Sequence, residues 1–345
     1  MKKQQLTGLS PSEMEQTMTQ IGEPRFRADQ LLSWIYKKRV TQFDEMTNIS
    51  KAFRTKLNEN FSIDILSLEK IVSGQDNLTH KFLFRLEDGL YIESVFMIEN
   101  KRKTVCLSSQ VGCALNCSFC ATGKMGFKRN LQASEIIDQL IFMSRYFNED
   151  ITNVVIMGMG EPFLNYDNVL KACDIFSHDK CNSIGKRKIT ISTSGIIPAI
   201  KRFADEGHKY KMAISLNAAN NDIRTQLMPI NKKYPIAELM NVIRYYFKKT
   251  KRRVTFEYVL IQGLNDSQAD AEELRRLIHD LPCKINIIPY NETDDKYHRS
   301  AEDAIDEFVK PFLNMNVVIS VRRSKGVDIN AACGQLYYDA LKNES

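Results

Sequence analysis

No stretch of the 345-residue chain approaches the roughly 18 uncharged apolar residues of a membrane-spanning helix. The opening, MKKQQLTGLSPSEMEQ, has two lysines with no apolar run behind them, so neither a membrane association nor a secretory leader is expected, and the cytoplasm is the expected compartment. A strong excess of one charge is missing too. Against 42 Asp plus Glu stand 48 Lys plus Arg, and the net +6 permits a polyanionic partner without demanding one. There is no low-complexity tract and no internal repeat, which excludes a linker-like or solenoid chain. What remains, 43% hydrophobic and 26% charged, describes an ordinary globular chain with room for one large domain and a small one. Eight cysteines without a leader do not suggest a disulfide scaffold, because the cytosol keeps thiols reduced. Metal binding or catalysis accounts for them better.

Residues 1–75 read as mostly helical: Pro11-Ser12-Glu13 opens one segment, and apolar residues recur at helical spacing through Arg27 to Tyr36. From about residue 76 to 99 the pattern changes to alternation, with Asp88-Gly89 as a hairpin turn between two strands. Beyond residue 100, six apolar strands (103–108, 152–157, 188–193, 211–216, 253–260, 284–289) alternate with amphipathic segments, and a further strand is possible near 317–321. The α/β alternation implies parallel pairing with right-handed crossovers. The expected architecture is therefore a helical accessory domain (1–75), a β-hairpin extension (76–99) and a partial (β/α)6 barrel (100–345), with a doubly wound sheet as the alternative.

The strongest local signal is Cys113-Ala-Leu-Asn-Cys117-Ser-Phe-Cys120, placed in the loop after the first barrel strand. Structural zinc takes four protein ligands, whereas a cubane cluster held by three cysteines leaves one iron open. A zinc site borrowing a distant fourth ligand and three unrelated core cysteines are the competing readings. The spacing resembles the cysteine motif of the radical S-adenosylmethionine (SAM) superfamily, which implies a [4Fe-4S] cluster on Cys113, Cys117 and Cys120, with SAM at its open iron. Further segments, among them Met157-Gly158-Met159-Gly160-Glu161-Pro162, Ser192-Thr193-Ser194-Gly195, Ser215-Leu216-Asn217-Ala218, Met228-Pro229-Ile230-Asn231, Ile288-Pro289-Tyr290-Asn291 and Asp328 to Leu336, look like the dual-specificity adenine carbon-2 methyltransferases of ribosomal and transfer RNA.

These groups fall at or just past the C-terminal ends of the expected strands, where barrel sites form. Glycines at 158 and 160 are expected to let backbone approach the cofactor. The resemblance implies SAM contacts at Gly160, Glu161, Ser192, Ser215, Leu216, Asn217 and Asn291. Many relatives have histidine where Asn217 stands, and asparagine keeps the hydrogen bonding while losing the titration.

The resemblance also implies catalytic roles for Cys333, Cys106 and Glu93. One SAM methylates Cys333; a 5'-deoxyadenosyl radical from a second SAM removes hydrogen from the S-methyl group; the carbon radical adds to adenine carbon 2. Glu93 accepts the ring proton, and Cys106 attacks the Cys333 sulfur to release product as a disulfide. The implied substrates are adenosine 2503 of 23S rRNA, at the peptidyl-transferase centre, and adenosine 37 of tRNA. An electron donor of flavodoxin or ferredoxin type and a monomeric enzyme complete the expectation. Rival readings are the carbon-8 branch linked to antibiotic resistance, a radical SAM activase of a partner protein, and a non-catalytic iron-sulfur RNA-binding protein. Basic runs at 101–103, 186–188, 248–253 and 322–325 indicate phosphate affinity, while residues 1–75 carry no recognisable RNA-binding signature. Cys173, Cys181 and Cys283 match no motif and read as small apolar core or surface residues.

Overall fold

The computed structural model describes residues 3–63, 65–313, 315 and 317–337; the final eight residues of the 100–345 span, 338–345, lie outside the described residues. Its framework is one ten-stranded sheet. In chain order the strands are β1 (Ser67–Ser73), β2 (Thr79–Arg85), β3 (Tyr91–Glu99), β4 (Arg102–Cys106), β5 (Asn153–Ile156), β6 (Ile189–Thr193), β7 (Lys211–Ser215), β8 (Val254–Leu260), β9 (Cys283–Pro289) and β10 (Val318–Val321). Spatial order equals chain order throughout. From β4 to β10 every neighbour pair is parallel, whereas β1 to β4 pair antiparallel. A doubly wound sheet must reverse its strand order once; this one never does, so it is a partial barrel. Strand β10 realises the seventh strand that the sequence left as a possibility.

The helices between the strands carry the expected apolar stripes. Ala133–Tyr146, for example, turns Ile136, Ile137, Leu140, Ile141 and Met143 into the core, and Tyr166–Ser177 does the same with Val169, Leu170, Cys173 and Phe176. Cys173, Cys181 and Cys283 are all buried.

In the N-terminal segment, Ser10 caps the helix Pro11–Gln20 in a reciprocal box, with Ser10 N–H donating to Glu13 Oε2 at 2.7 Å and Glu13 N–H to Ser10 Oγ at 3.3 Å. Helices Phe26–Leu32 and Lys51–Asn60 follow, the former continuing as a π-helical turn over Ser33–Lys38. The antiparallel extension differs from expectation. It has a third strand, β1, inside the stretch read as helical; its Ser67, Leu68, Glu69 and Lys70 are exposed, so the burial alternation that reveals a strand in sequence is absent there. The Asp88-Gly89 turn is as expected, with Leu86 N–H donating to Leu90 O at 2.7 Å.

Candidate active site

After β4 the chain folds into a short hairpin, Gln110–Gly112 against Phe127–Asn130, and the cysteine loop lies between its strands. Cys113 N–H donates to Gly126 O at 3.0 Å, and Cys120 N–H to Cys117 O at 3.1 Å, closing a tight turn. The three thiols line one pocket with Gly160, Glu161, Ser192, Ser215, Asn217 and Asn291, contributed by the C-terminal ends of β5, β6, β7 and β9. Burial pushes the Cys113 thiol up to about 12, and Cys117 and Cys120 in the same direction. Thiols that resist ionisation alone are released as thiolates by a bound cation, so this donor set fits a metal centre. Among the described residues no three His, Cys, Asp or Glu side chains converge on a single-ion position. Thiols that sit on separate corners of a multi-iron cluster have no need to.

Other features of the pocket fit a small polar cofactor. Asn291 donates through Nδ2 to Ser324 Oγ at 2.9 Å and to Cys333 O at 3.2 Å, leaving its Oδ1 buried and unpartnered among the described residues. An ammonium or hydroxyl group would satisfy it. Glu161, by contrast, is already committed: Phe163 N–H donates to Oε1 at 3.0 Å and Ser194 N–H to Oε2 at 2.7 Å. Burial raises its carboxyl, and those N–H bonds oppose the rise. It ties the loop after β5 to the loop after β6.

The two glycines and Leu216 sit differently from the other residues. The face of Gly158 and Gly160 that lacks a side chain is turned to the neighbouring backbone and hairpin: a Cβ at 158 would lie 2.8 Å from Leu107 C, and one at Gly160, which has φ +98, 2.4 Å from Gln110 Cβ. Glycine is required there to seat the loop, although both residues also line the pocket. Leu216 is fully buried and absent from the pocket wall; its N–H donates to Glu257 O at 3.0 Å. Asn217 lines the pocket in the left-handed conformation (φ 61), with Oδ1 accepting from Val259 N–H at 2.9 Å. Asparagine tolerates that backbone, and its amide fastens β7 to β8.

Below the pocket lies a second cavity of about 630 Å³. Barrel interiors are ordinarily packed with branched apolar residues. Here the inward positions include Thr104, Thr190, Thr255, Asn286 and Ser320, and the interior stays hollow. Cys106 and Cys333 both line this cavity, and Cys333 lines the upper pocket as well. Burial and the neighbouring Cys333 push the Cys106 thiol up to about 12, with Arg322 opposing. Glu93 is buried but lines neither space: Lys81 Nζ lies 2.9 Å from its Oε1, and Tyr337 N–H donates to its Oε2 at 2.8 Å.

The lower mouth is cationic. Arg102, Lys211, Arg253, Lys284, Arg323 and Lys325 ring it, drawing on three of the four basic runs. Burial, then the charges of Lys284 and Arg102, lower the Lys211 ammonium below its ordinary range. From the 248–253 run only Arg253 reaches the cavity, and Lys249 instead pairs with Asp205 at 2.9 Å.

Sequence reasoning did not single out Arg224. It is fully buried and donates to Leu216 O at 3.1 Å, Asn231 Oδ1 at 2.9 Å and Ser194 O at 2.7 Å, bracing three segments around the pocket. The Met228-Pro229-Ile230-Asn231 motif was the available signal, since Asn231 needs a nearby donor. Glu257, Lys211 and Lys284 were hidden inside apolar strands and gave no signal.

A partial parallel barrel with a three-cysteine loop over the C-terminal strand ends defines a radical SAM protein, and residues 107–278 match the Radical SAM superfamily. Residues 4–63 match the family described as the ribosomal RNA large subunit methyltransferase N-terminal domain. Over 341 residues the chain is 46% identical to a probable dual-specificity RNA methyltransferase of Thermotoga maritima, covering 99% of each. A protein of the same description from Halalkalibacterium halodurans is 45% identical, covering 96% of this chain and 93% of that one. Among solved structures, a radical SAM methyltransferase from Sphaerobacter thermophilus superposes with a TM-score of 0.93 at 44% identity, covering 96% of this chain and 99% of that one. The chain belongs to the radical SAM family of dual-specificity RNA methyltransferases.

Proposed function

We propose that the protein methylates carbon 2 of an adenine in 23S rRNA and in tRNA, by way of a methyl group carried on Cys333. The observation that carries this reading is the position of Cys333, which borders the pocket beneath the cysteine loop on one side and the hollow barrel holding Cys106 on the other. A sulfur so placed can face a cofactor and a base in turn.

Cys113, Cys117 and Cys120 would hold a [4Fe-4S] cluster, and Gly160, Glu161, Ser192, Ser215, Asn217 and Asn291 would border SAM, with Leu216 supporting them from behind. Bound there, cluster and SAM supply a methyl group and, once an external donor of flavodoxin or ferredoxin type provides an electron, a hydrogen-abstracting carbon radical. Cys333 carries the methyl carbon to the base. After addition to the ring the unpaired electron is returned to the oxidised form of the external donor. In the releasing step Cys106 sulfur attacks Cys333 sulfur, so that an S–S bond forms as the carbon–sulfur bond breaks; the freed carbon keeps that bond's electron pair and takes a proton to become the methyl group, and external thiol restores both cysteines. Glu93 takes the ring proton; because Lys81 and Tyr337 N–H occupy its oxygens, that role requires the 331–337 segment to shift. The cationic mouth meets RNA phosphates and admits an extruded base, the helical segment contributes further RNA contact, and the enzyme works as a monomer.

The test is nucleoside mass spectrometry after the reduced, reconstituted enzyme acts on unmodified 23S rRNA fragment or tRNA with methyl-deuterated SAM. The expected product is 2-methyladenosine that retains two of three deuteriums. Formation of 8-methyladenosine would reassign the ring carbon, and no methylated adenosine from either RNA would overturn the reading.

A further inference from the structure

Glu257, in the middle of β8, is buried and lines both the upper pocket and the lower cavity. Asn286 Nδ2 donates to its Oε1 at 2.9 Å, and Ser320 Oγ donates to Asn286 Oδ1 at 2.7 Å. These residues occupy three adjacent strands, and Asn286 and Ser320 line only the lower cavity. The row fixes the carboxylate on the side where a base would enter. Its Oε2 is buried with no hydrogen-bond partner among the described residues, although Arg322 lines the same wall. Burial raises the Glu257 carboxyl while the charge of Arg322 and the Asn286 hydrogen bond oppose the rise. Leaving a carboxyl oxygen unpartnered away from water is costly, and such a group persists where a ligand completes it. Adenine has one hydrogen-bond donor on its ring system, the exocyclic amino group, and among the common bases only adenine pairs that donor with an unprotonated ring nitrogen beside an unsubstituted carbon 2.

Resting on the methyltransferase reading above, we infer that Glu257 is the specificity-determining residue for the target base, its free carboxylate oxygen accepting a hydrogen bond from the adenine amino group. Asn286 and Ser320 are positioning residues that hold it there. Carbon 2 lies one ring nitrogen from the amino-bearing carbon, on the same edge of the base, so alignment by the amino group would hold carbon 2 within the cavity that Glu257 lines with Cys106 and Cys333.

The experiment compares two RNA oligonucleotides that differ at the target nucleoside alone: adenosine, or purine riboside, which lacks the amino group. The quantity read is the ratio of their kcat/KM values, in which effects on cofactor binding or on Cys333 chemistry cancel. A hydrogen bond to a charged acceptor gives the wild type a preference for adenosine of roughly 10- to 100-fold. Glu257→Leu should bring the ratio to about one, Glu257→Gln, which keeps a carbonyl acceptor, should hold an intermediate ratio, and Asn286→Ala should lower it by freeing the carboxylate. An unchanged ratio in Glu257→Leu, with both substrates slowed alike, would show that Glu257 serves the cofactor or the fold and overturn the inference; should that variant fail to fold, an unchanged ratio in Asn286→Ala and Glu257→Gln together overturns it. Equal wild-type turnover of both oligonucleotides sinks base recognition alone. Turnover of neither sinks the methyltransferase reading beneath it.

Discussion

Replacing Arg224 with methionine should destabilise the protein and loosen the cofactor pocket. Among the described residues the guanidinium has no carboxylate partner; it is held by Leu216 O, Asn231 Oδ1 and Ser194 O, with a longer bond of 3.4 Å to Ser215 O. Methionine matches much of its length and fills the space, so the loss is polar rather than steric. Two buried acceptors and the half-buried Ser194 O left unsatisfied cost about 1 to 3 kcal/mol each. Burial lowers the arginine's own pKa from 12.5 to about 10, so removing the charge recovers desolvation free energy of about 3 kcal/mol. The net loss is about 3 kcal/mol. At ~2.1 cal/mol/K per residue, a 345-residue chain unfolds with an entropy of about 0.7 kcal/mol/K, so the melting temperature should fall by about 4 °C. Because the freed carbonyl of Ser194 belongs to the loop that Glu161 grips, SAM affinity measured by calorimetry should drop in parallel. Arg224→Lys should recover only part of both, since an ammonium cannot reproduce the planar fork. A melting temperature within a degree of wild type for Arg224→Met, or full rescue by lysine, would refute the bracing role.

Gly160→Ala would set a Cβ 2.4 Å from Gln110 Cβ at a positive φ, and a loss of about 2 to 4 kcal/mol is expected in urea unfolding, accompanied by weaker SAM binding. Glu206 tests the pH response. Burial works to raise its carboxyl, but hydrogen bonds from Tyr166, His208 and Arg202 outweigh that and hold it down to about 2. A depressed carboxylate contributes stability above its unfolded value of about 4.5 and loses it as pH falls towards 2, so Glu206→Gln should flatten thermal stability across that window. Replacing Lys211, Arg253 and Lys284 together with alanine should weaken RNA binding and reduce the slope of log affinity against log salt by about 2 to 3. An unchanged slope would remove these three from the RNA path.

The short-range chemistry was legible in the amino-acid sequence. Cys113, Cys117 and Cys120 lie within eight residues, so their loop can be recognised from spacing alone, and the βα rhythm announced the parallel strands because each strand is an apolar run between amphipathic helices. Resemblance to a family supplied Cys106, Cys333 and Glu93, which no local spacing connects. β1 escaped because an edge strand with exposed side chains has no burial period to read.

Tertiary structure alone decided the rest. Strand order separated the barrel from a doubly wound sheet, since both produce the same alternation along the chain and differ only in which strands become neighbours. Curling of the sheet put Cys333 beside Cys106 across 227 positions of sequence, and strand order turned Glu257, Asn286 and Ser320, one residue from each of three apolar-looking strands, into a single hydrogen-bonded row. It gathered Arg102, Lys211, Arg253 and Lys284 from separate strand beginnings into one mouth. Such groups share no period or spacing, because the distances that join them run across hydrogen-bonded strands rather than along the chain.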